Sequence, residues 1–142
     1  MVSSIDEMLM PFLNNTIKSN LSKDGKAAIQ AITIDDALFD RYKTKQDFIQ
    51  KYIFPGGFLP SKKSLFDHAE SNGLKFNEYN SYANHYSETL IIWRKEFNKK
   101  WDLIKNQGFD VTFKKMWEFY LSYCEAGFKS KNIDLIQFAL QK

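Results

Sequence analysis

The stretch KAAIQAITI, residues 26–34, most constrains what this chain can fold into, because it is an isoleucine-rich run with a single charge at its start. Such runs suit a strand covered on both faces, as in a parallel sheet with helices on each side. A strand of that kind demands helices long enough to cover it. The flanking sequence supplies them.

Upstream, SSIDEMLMPFLNNTIKSNLS sets Ser4 and Glu7 at the spacing of a capping box. Ile5, Met8, Leu9, Phe12 and Leu13 recur at helical intervals, around a Pro11 that would kink or restart a helix. KDG then turns the chain into the strand. Downstream, IDDALFDRYKTKQDFIQKYIF reads as helical with an interruption near Thr44, and Phe48, Ile49, Tyr52 and Ile53 share one face. After Phe-Pro-Gly-Gly, Ser61 is a suitable N-cap for KKSLFDHAESN, and Gly73 a suitable stop. LKFNEYNSY reads as a second strand.

Two long helices follow. Leu90, Trp93, Phe97, Trp101 and Ile104 form a stripe on the first. Phe113, Trp117, Tyr120, Cys124 and Phe128 do so on the second, after Gly108. NIDLIQFALQK closes the chain as a third strand. The order of helices and strands is that of an α/β chain of 142 residues, read as a single domain, 1–142. Three strands make a thin sheet for a doubly wound domain, and the aromatic stripes exceed what so small a sheet needs. Both observations point to the back half of a larger fold.

Aromatic residues make up 16% of the chain, which fits a packed aromatic core or the wall of an apolar pocket. The net charge of +3 is too small to argue for nucleic acid. Arg94, Lys95, Lys99, Lys100 and Lys105 crowd together, but Glu96 and Asp102 interrupt them, as on a solvated helix face. A single cysteine, Cys124, leaves no internal disulfide and no cysteine-based metal site, and a reducing, cytoplasmic setting is expected. No apolar run approaches the ~20 residues that span a bilayer, and MVSSIDEML lacks a signal peptide's basic flank.

Familiar catalytic patterns are missing. A phosphate-binding loop needs converging backbone N–H groups at a helix start after a strand. Gly56 and Gly57 instead follow a helix, and Pro55 removes a donor. The two histidines, His68 and His85, have no metal-ligand spacing. Cys124 beside Glu125 lies mid-helix on an aromatic stripe, where a cysteine acts as a small buried hydrophobe.

Taken together, QAITI (30–34), DFIQKYIFPGGFLPS (47–61), HYSETLIIWRKEF (85–97) and MWEFYLSYCEAGFKSKNIDLIQF (116–138) resemble the C-terminal part of one family. This is the cyclopropane-fatty-acyl-phospholipid synthases and their mycolic-acid relatives, which depend on S-adenosylmethionine. The resemblance runs from about residue 5 to the C-terminus. It implies the C-terminal half of a Rossmann-like class I methyltransferase fold, about three strands with flanking helices, the cofactor-binding half absent.

The same resemblance implies an activity. The sulfonium methyl passes to the double bond of an unsaturated lipid acyl chain, and a proton is then lost to bound bicarbonate as a ring closes. It places Gln30, Ile32 and Tyr86 at the bicarbonate site, with Gln30 standing where many members have histidine. It places Phe54, Tyr120 and Cys124 along the acyl tunnel. No residue here matches the glycine-rich cofactor loop, so S-adenosylmethionine is not expected to bind tightly to this chain alone. The implied partners are lipid acyl chains at a membrane surface and a missing N-terminal methyltransferase half; no nucleic acid is expected. An open sheet edge adds the expectation of a homodimer. The alternative is a non-catalytic remnant serving as an oligomerisation or lipid-binding module.

Overall fold

The isoleucine-rich run forms strand β1 (Lys26–Ile34), within the span the sequence predicts. The computed structural model describes residues 15–142; the capping-box and Pro11 readings lie outside the described residues. The chain divides into two compact units. One holds the described residues up to Ser81 together with Ile133–Lys142, and the other is Tyr82–Asn132.

In the first unit β1 is followed by α1 (Asp36–Thr44), a π-helical turn (Ile49–Ile53), α2 (Lys62–Ser71) and β2 (Lys75–Ser81), and β3 (Ile133–Gln141) completes it. The interruption expected near Thr44 is real. The π-helical turn is opened by a reciprocal pair in which the Gln50 N–H donates to Asp47 Oδ1 at 2.8 Å and the Asp47 N–H to Gln50 Oε1 at 3.0 Å. Ser61 caps α2 by accepting from the Ser64 N–H at 3.1 Å, and Asp36 Oδ1 accepts the Lys63 N–H at 3.0 Å. Gly73, at φ 70°, ends that helix in the left-handed region where glycine carries no Cβ penalty.

The strands lie in the order β1-β3-β2, and β3 pairs antiparallel with both neighbours. The parallel sheet expected from the apolar run is therefore corrected: the pairings between the named strands are antiparallel, and the parallel element is an isolated bridge from Ile34 to Ser61. The run misled because parallel burial and an alternating, half-covered strand differ only at small residues. Ala28 and Gln30 are exposed while Ala27, Ile29 and Ala31 pack inward. The inward face meets Ile136, Phe138 and Leu140 of β3 and Leu65, Ala69 and Leu74 from α2 and its exit. Phe76 stacks on Phe138, with centroids 4.7 Å apart.

The second unit is a helical hairpin: α3 (Ala83–Lys99), a short α4 (Trp101–Lys105) and α5 (Val111–Lys129). The first long helix of the sequence reading thus breaks at Lys100, whose ψ of 11° departs from the helix while its N–H still donates to Glu96 O. No glycine or proline marks that break. Asp110 caps α5 by accepting the Phe113 N–H at 2.7 Å. Ring pairs Tyr86–Phe128 and Phe97–Phe113 show the two long helices running antiparallel. Ala83, Ser87 and Leu90 are the buried line of α3, whereas Trp93 of the expected stripe is 48% exposed.

Candidate functional site

The hairpin gathers three of the residues singled out from sequence. Tyr120 and Cys124 stand one turn apart on α5, the spacing at which helical side chains meet. Their side chains hydrogen-bond, and Tyr86 on α3 is near enough to influence both. Burial first, then the charges that Cys124 and Tyr86 would carry at high pH, push the Tyr120 phenol up to about 12. Burial, then Cys124, also raises the Tyr86 phenol. Tyr86 is held by Phe128 at 4.8 Å and Trp93 at 5.9 Å between ring centroids.

A line of rings leads to this cluster. Along α5 and the residues before it, Phe109 meets Phe113 at 4.5 Å, Phe113 stacks on Trp117 at 5.8 Å, and Trp117 meets Tyr120 at 4.9 Å. These are apolar faces with a protonated phenol at the end, a surface suited to a hydrocarbon chain and to transient positive charge on it.

β1 brings Gln30 and Ile32 together. Gln30 lies directly across from Gln137 in the β1–β3 register, and Gln137 Nε2 donates to Gln30 Oε1 at 2.9 Å. The Gln30 amide thereby keeps its own N–H donors for another acceptor. The Ile34 N–H donates to Pro60 O at 3.0 Å, so it points away from β3. Backbone N–H directions repeat every second residue along a strand, which turns the Ile32 N–H to the same outer edge. The Gln30 amide is thus tied toward β3, while the Ile32 N–H faces the opposite edge of the strand.

Phe54 is 54% exposed at the end of the π-helical turn. It opens a turn in which the Gly57 N–H donates to Phe54 O at 2.8 Å, with Gly56 at φ 84°. Pro55 then Gly56 at the central positions is the pattern of a type II turn. Phe58 packs that loop against Phe39 and Tyr42 of α1.

Sequence reasoning missed Gln137 and the charged group on the hairpin. Arg94 Nη2 reaches Glu125 Oε2 at 2.7 Å, and Lys129 Nζ reaches Glu125 Oε1 at 2.7 Å. The Glu125–Lys129 spacing was legible, but Arg94 and Gln137 needed the helix and strand pairings. Among the described residues no group of histidine, cysteine and carboxylate side chains could hold a metal ion.

A family model described as mycolic acid cyclopropane synthetase matches residues 1–138. The tuberculostearic acid methyltransferase UfaA1 of Mycobacterium tuberculosis is 44% identical over 117 residues, covering 82% of this chain and 27% of that protein. The cyclopropane-fatty-acyl-phospholipid synthase of Escherichia coli K12 is 30% identical over 95 residues, covering 67% of this chain and 24% of that protein. Among solved structures, the cyclopropane synthase MmaA2 from Mycobacterium tuberculosis shares the fold, with a TM-score of 0.80 at 22% identity over 94% of this chain and 50% of that one. Mycolic acid cyclopropane synthase CmaA1, complexed with SAH and CTAB, gives a TM-score of 0.80 at 27% identity with the same coverage. The fold is the C-terminal half of such synthases, and the chain spans about a quarter of these two curated relatives (27% and 24%) and half of these solved chains.

Proposed function

As this chain belongs to the mycolic acid cyclopropane synthetase family, we propose that it forms the acyl-chain side of an S-adenosylmethionine-dependent methyltransferase. Its substrate class is the double bond of an unsaturated lipid acyl chain. The observation that carries this reading is the Tyr86–Tyr120–Cys124 cluster at the end of the aromatic line. A phenol held protonated up to about 12 offers its π-face to positive charge on the acyl chain without becoming a phenolate that would trap it.

In this reading we assign Gln30 and the Ile32 backbone to a bicarbonate ion. The Gln30 amide and the Ile32 N–H would donate to it, and it would supply a base for proton removal. The residues do not fit S-adenosylmethionine, since none of the six glycines forms a glycine-rich loop after a strand. No methyl-transfer step is therefore assigned to a residue of this chain, which is inactive by itself in this reading. The alternative, a non-catalytic oligomerisation or lipid-binding module, draws support from the outer edge of β1, which among the described residues pairs with no second strand and carries only the Ile34–Ser61 bridge.

The test joins this chain to an N-terminal half from the family that carries the glycine-rich loop. The joined protein should convert unsaturated phospholipid in the presence of S-adenosylmethionine, with acyl chains gaining one methylene by mass spectrometry. The chain alone should yield no product and no calorimetric cofactor binding. Micromolar cofactor binding by the chain alone overturns the assignment of the halves. A joined protein that binds cofactor and lipid but forms no product favours the non-catalytic module.

A further inference from the structure

We propose that the closed end of the α3–α5 hairpin is a docking surface for an anionic lipid membrane. This deepens the reading above, since it names where the lipid substrate is met, and its test reads vesicle binding without chemistry.

Three large apolar side chains crowd the nine residues that turn the hairpin. Leu103 is 65% exposed, Phe109 41% and Val111 56%. Singly exposed apolar residues are ordinary, but three at one hairpin end, beside the half-buried Trp101, form an insertion tip. Tryptophan suits the depth where headgroups meet acyl chains.

Charge selects the partner. Residues 95–115 contain six lysines and three carboxylates, so the +3 of the whole chain is matched by this segment alone. Two of the three carboxylates are engaged locally: Asp110 caps α5, and Glu96 lies 3.8 Å from Lys99. Lys114 Nζ sits over the Trp101 ring, 5.3 Å from its centroid. Lys95, Lys100, Lys105 and Lys115 are exposed and form no ion pair among the described residues. An apolar tip ringed by free ammonium groups complements a bilayer of anionic headgroups over hydrocarbon, since each lysine near such a surface gains attraction while the tip is buried.

The tip also leads somewhere. The ring line Phe109–Phe113–Trp117–Tyr120 begins at it and ends at the Tyr86–Tyr120–Cys124 cluster. Eleven residues of mostly helical rise separate its ends, about 16 Å, a length that an acyl chain lifted from the bilayer can span.

Co-sedimentation of the chain with phosphatidylcholine vesicles, with and without phosphatidylglycerol, tests this. Binding should require phosphatidylglycerol and weaken as salt is raised. The double variant Leu103→Asp with Val111→Asp should lower the partition coefficient at least tenfold. Lys100→Gln with Lys115→Gln should lower it roughly tenfold, and Lys23→Gln with Lys26→Gln should leave it unchanged. Circular dichroism should show all variants folded, because every substituted side chain is exposed. Equal binding to both vesicle types, or tip variants that bind like the parent, overturns the proposal. So does light scattering that shows a dimer lost in the Leu103→Asp variant with vesicle binding intact, which would assign the tip to a second copy. Loss of methyl transfer in the joined protein with vesicle binding preserved would overturn the enzymatic reading alone.

Discussion

Gln137 donates its side-chain N–H to Gln30 Oε1 at 2.9 Å, directly across the β1–β3 register. With the bond made through its oxygen, the Gln30 amide keeps both N–H donors for a third group. On the proposed anion-binding role of Gln30, Gln30→Glu would set a carboxylate against the anion, and turnover by the joined protein should fall at least tenfold. Gln137→Ala should lower turnover less, by releasing the amide to rotate. Because the pair is exposed, both variants should stay within about 1 kcal/mol of the parent in urea unfolding.

Tyr120 sets a high-pH limit on the hairpin. Its phenol is raised to about 12 by burial and then by Cys124, against about 10 in the unfolded chain. The folded state therefore holds the proton longer. Stability from this group is complete below pH 10 and declines as pH rises from about 10 to about 12. Absorbance titration of the phenolate in Tyr120→Phe and the parent should assign a late transition to Tyr120, and the variant should lose less stability across that window.

Glu125 sets the acid limit. The Lys129 hydrogen bond, then that of Arg94, hold its carboxyl below the usual value of 4.5, against the opposing effect of burial. A lowered carboxyl pKa contributes stability above the unfolded value, and that contribution is lost as pH falls below about 4.5. Arg94→Ala should cost about 1–3 kcal/mol at neutral pH, since Glu125 loses one of two charged partners. It should also move the onset of acid unfolding to higher pH, as followed by circular dichroism.

Gly56 separates a turn from a ligand loop. Its φ is 84°, and a Cβ there would meet nothing within 4 Å, so the strain of Gly56→Ala is conformational alone. The expected cost is about 1 kcal/mol, read as a shift in urea midpoint. Turnover by the joined protein should be retained. Gly57→Ala should cost more, because its Cβ would lie 3.0 Å from Phe54 O and 3.2 Å from Phe54 Cβ. Complete loss of turnover in Gly56→Ala, with the fold intact, would return the glycines to a ligand-binding role.

The sequence by itself determined the local elements, because helix caps, left-handed glycines and apolar spacing act over a few residues. KAAIQAITI is a strand, Ser61 and Gly73 bound a helix, and Phe-Pro-Gly-Gly makes a turn with Gly56 at positive φ, as their residues predict. Tyr86, Tyr120 and Cys124 were legible as candidates because the family motifs that contain them are contiguous. Only the tertiary structure decided strand direction, since β3 pairs between two strands that lie far from it along the chain. It also decided that Gln137 faces Gln30 and Arg94 faces Glu125, since partners 107 and 31 residues away are set by register and helix packing. The break at Lys100 was decided there too, because nothing in its own side chain stops a helix. What spacing cannot encode is which side of an element meets which neighbour, and that choice sets Gln137 across from Gln30 and, in the other unit, Tyr86 near Tyr120 and Cys124.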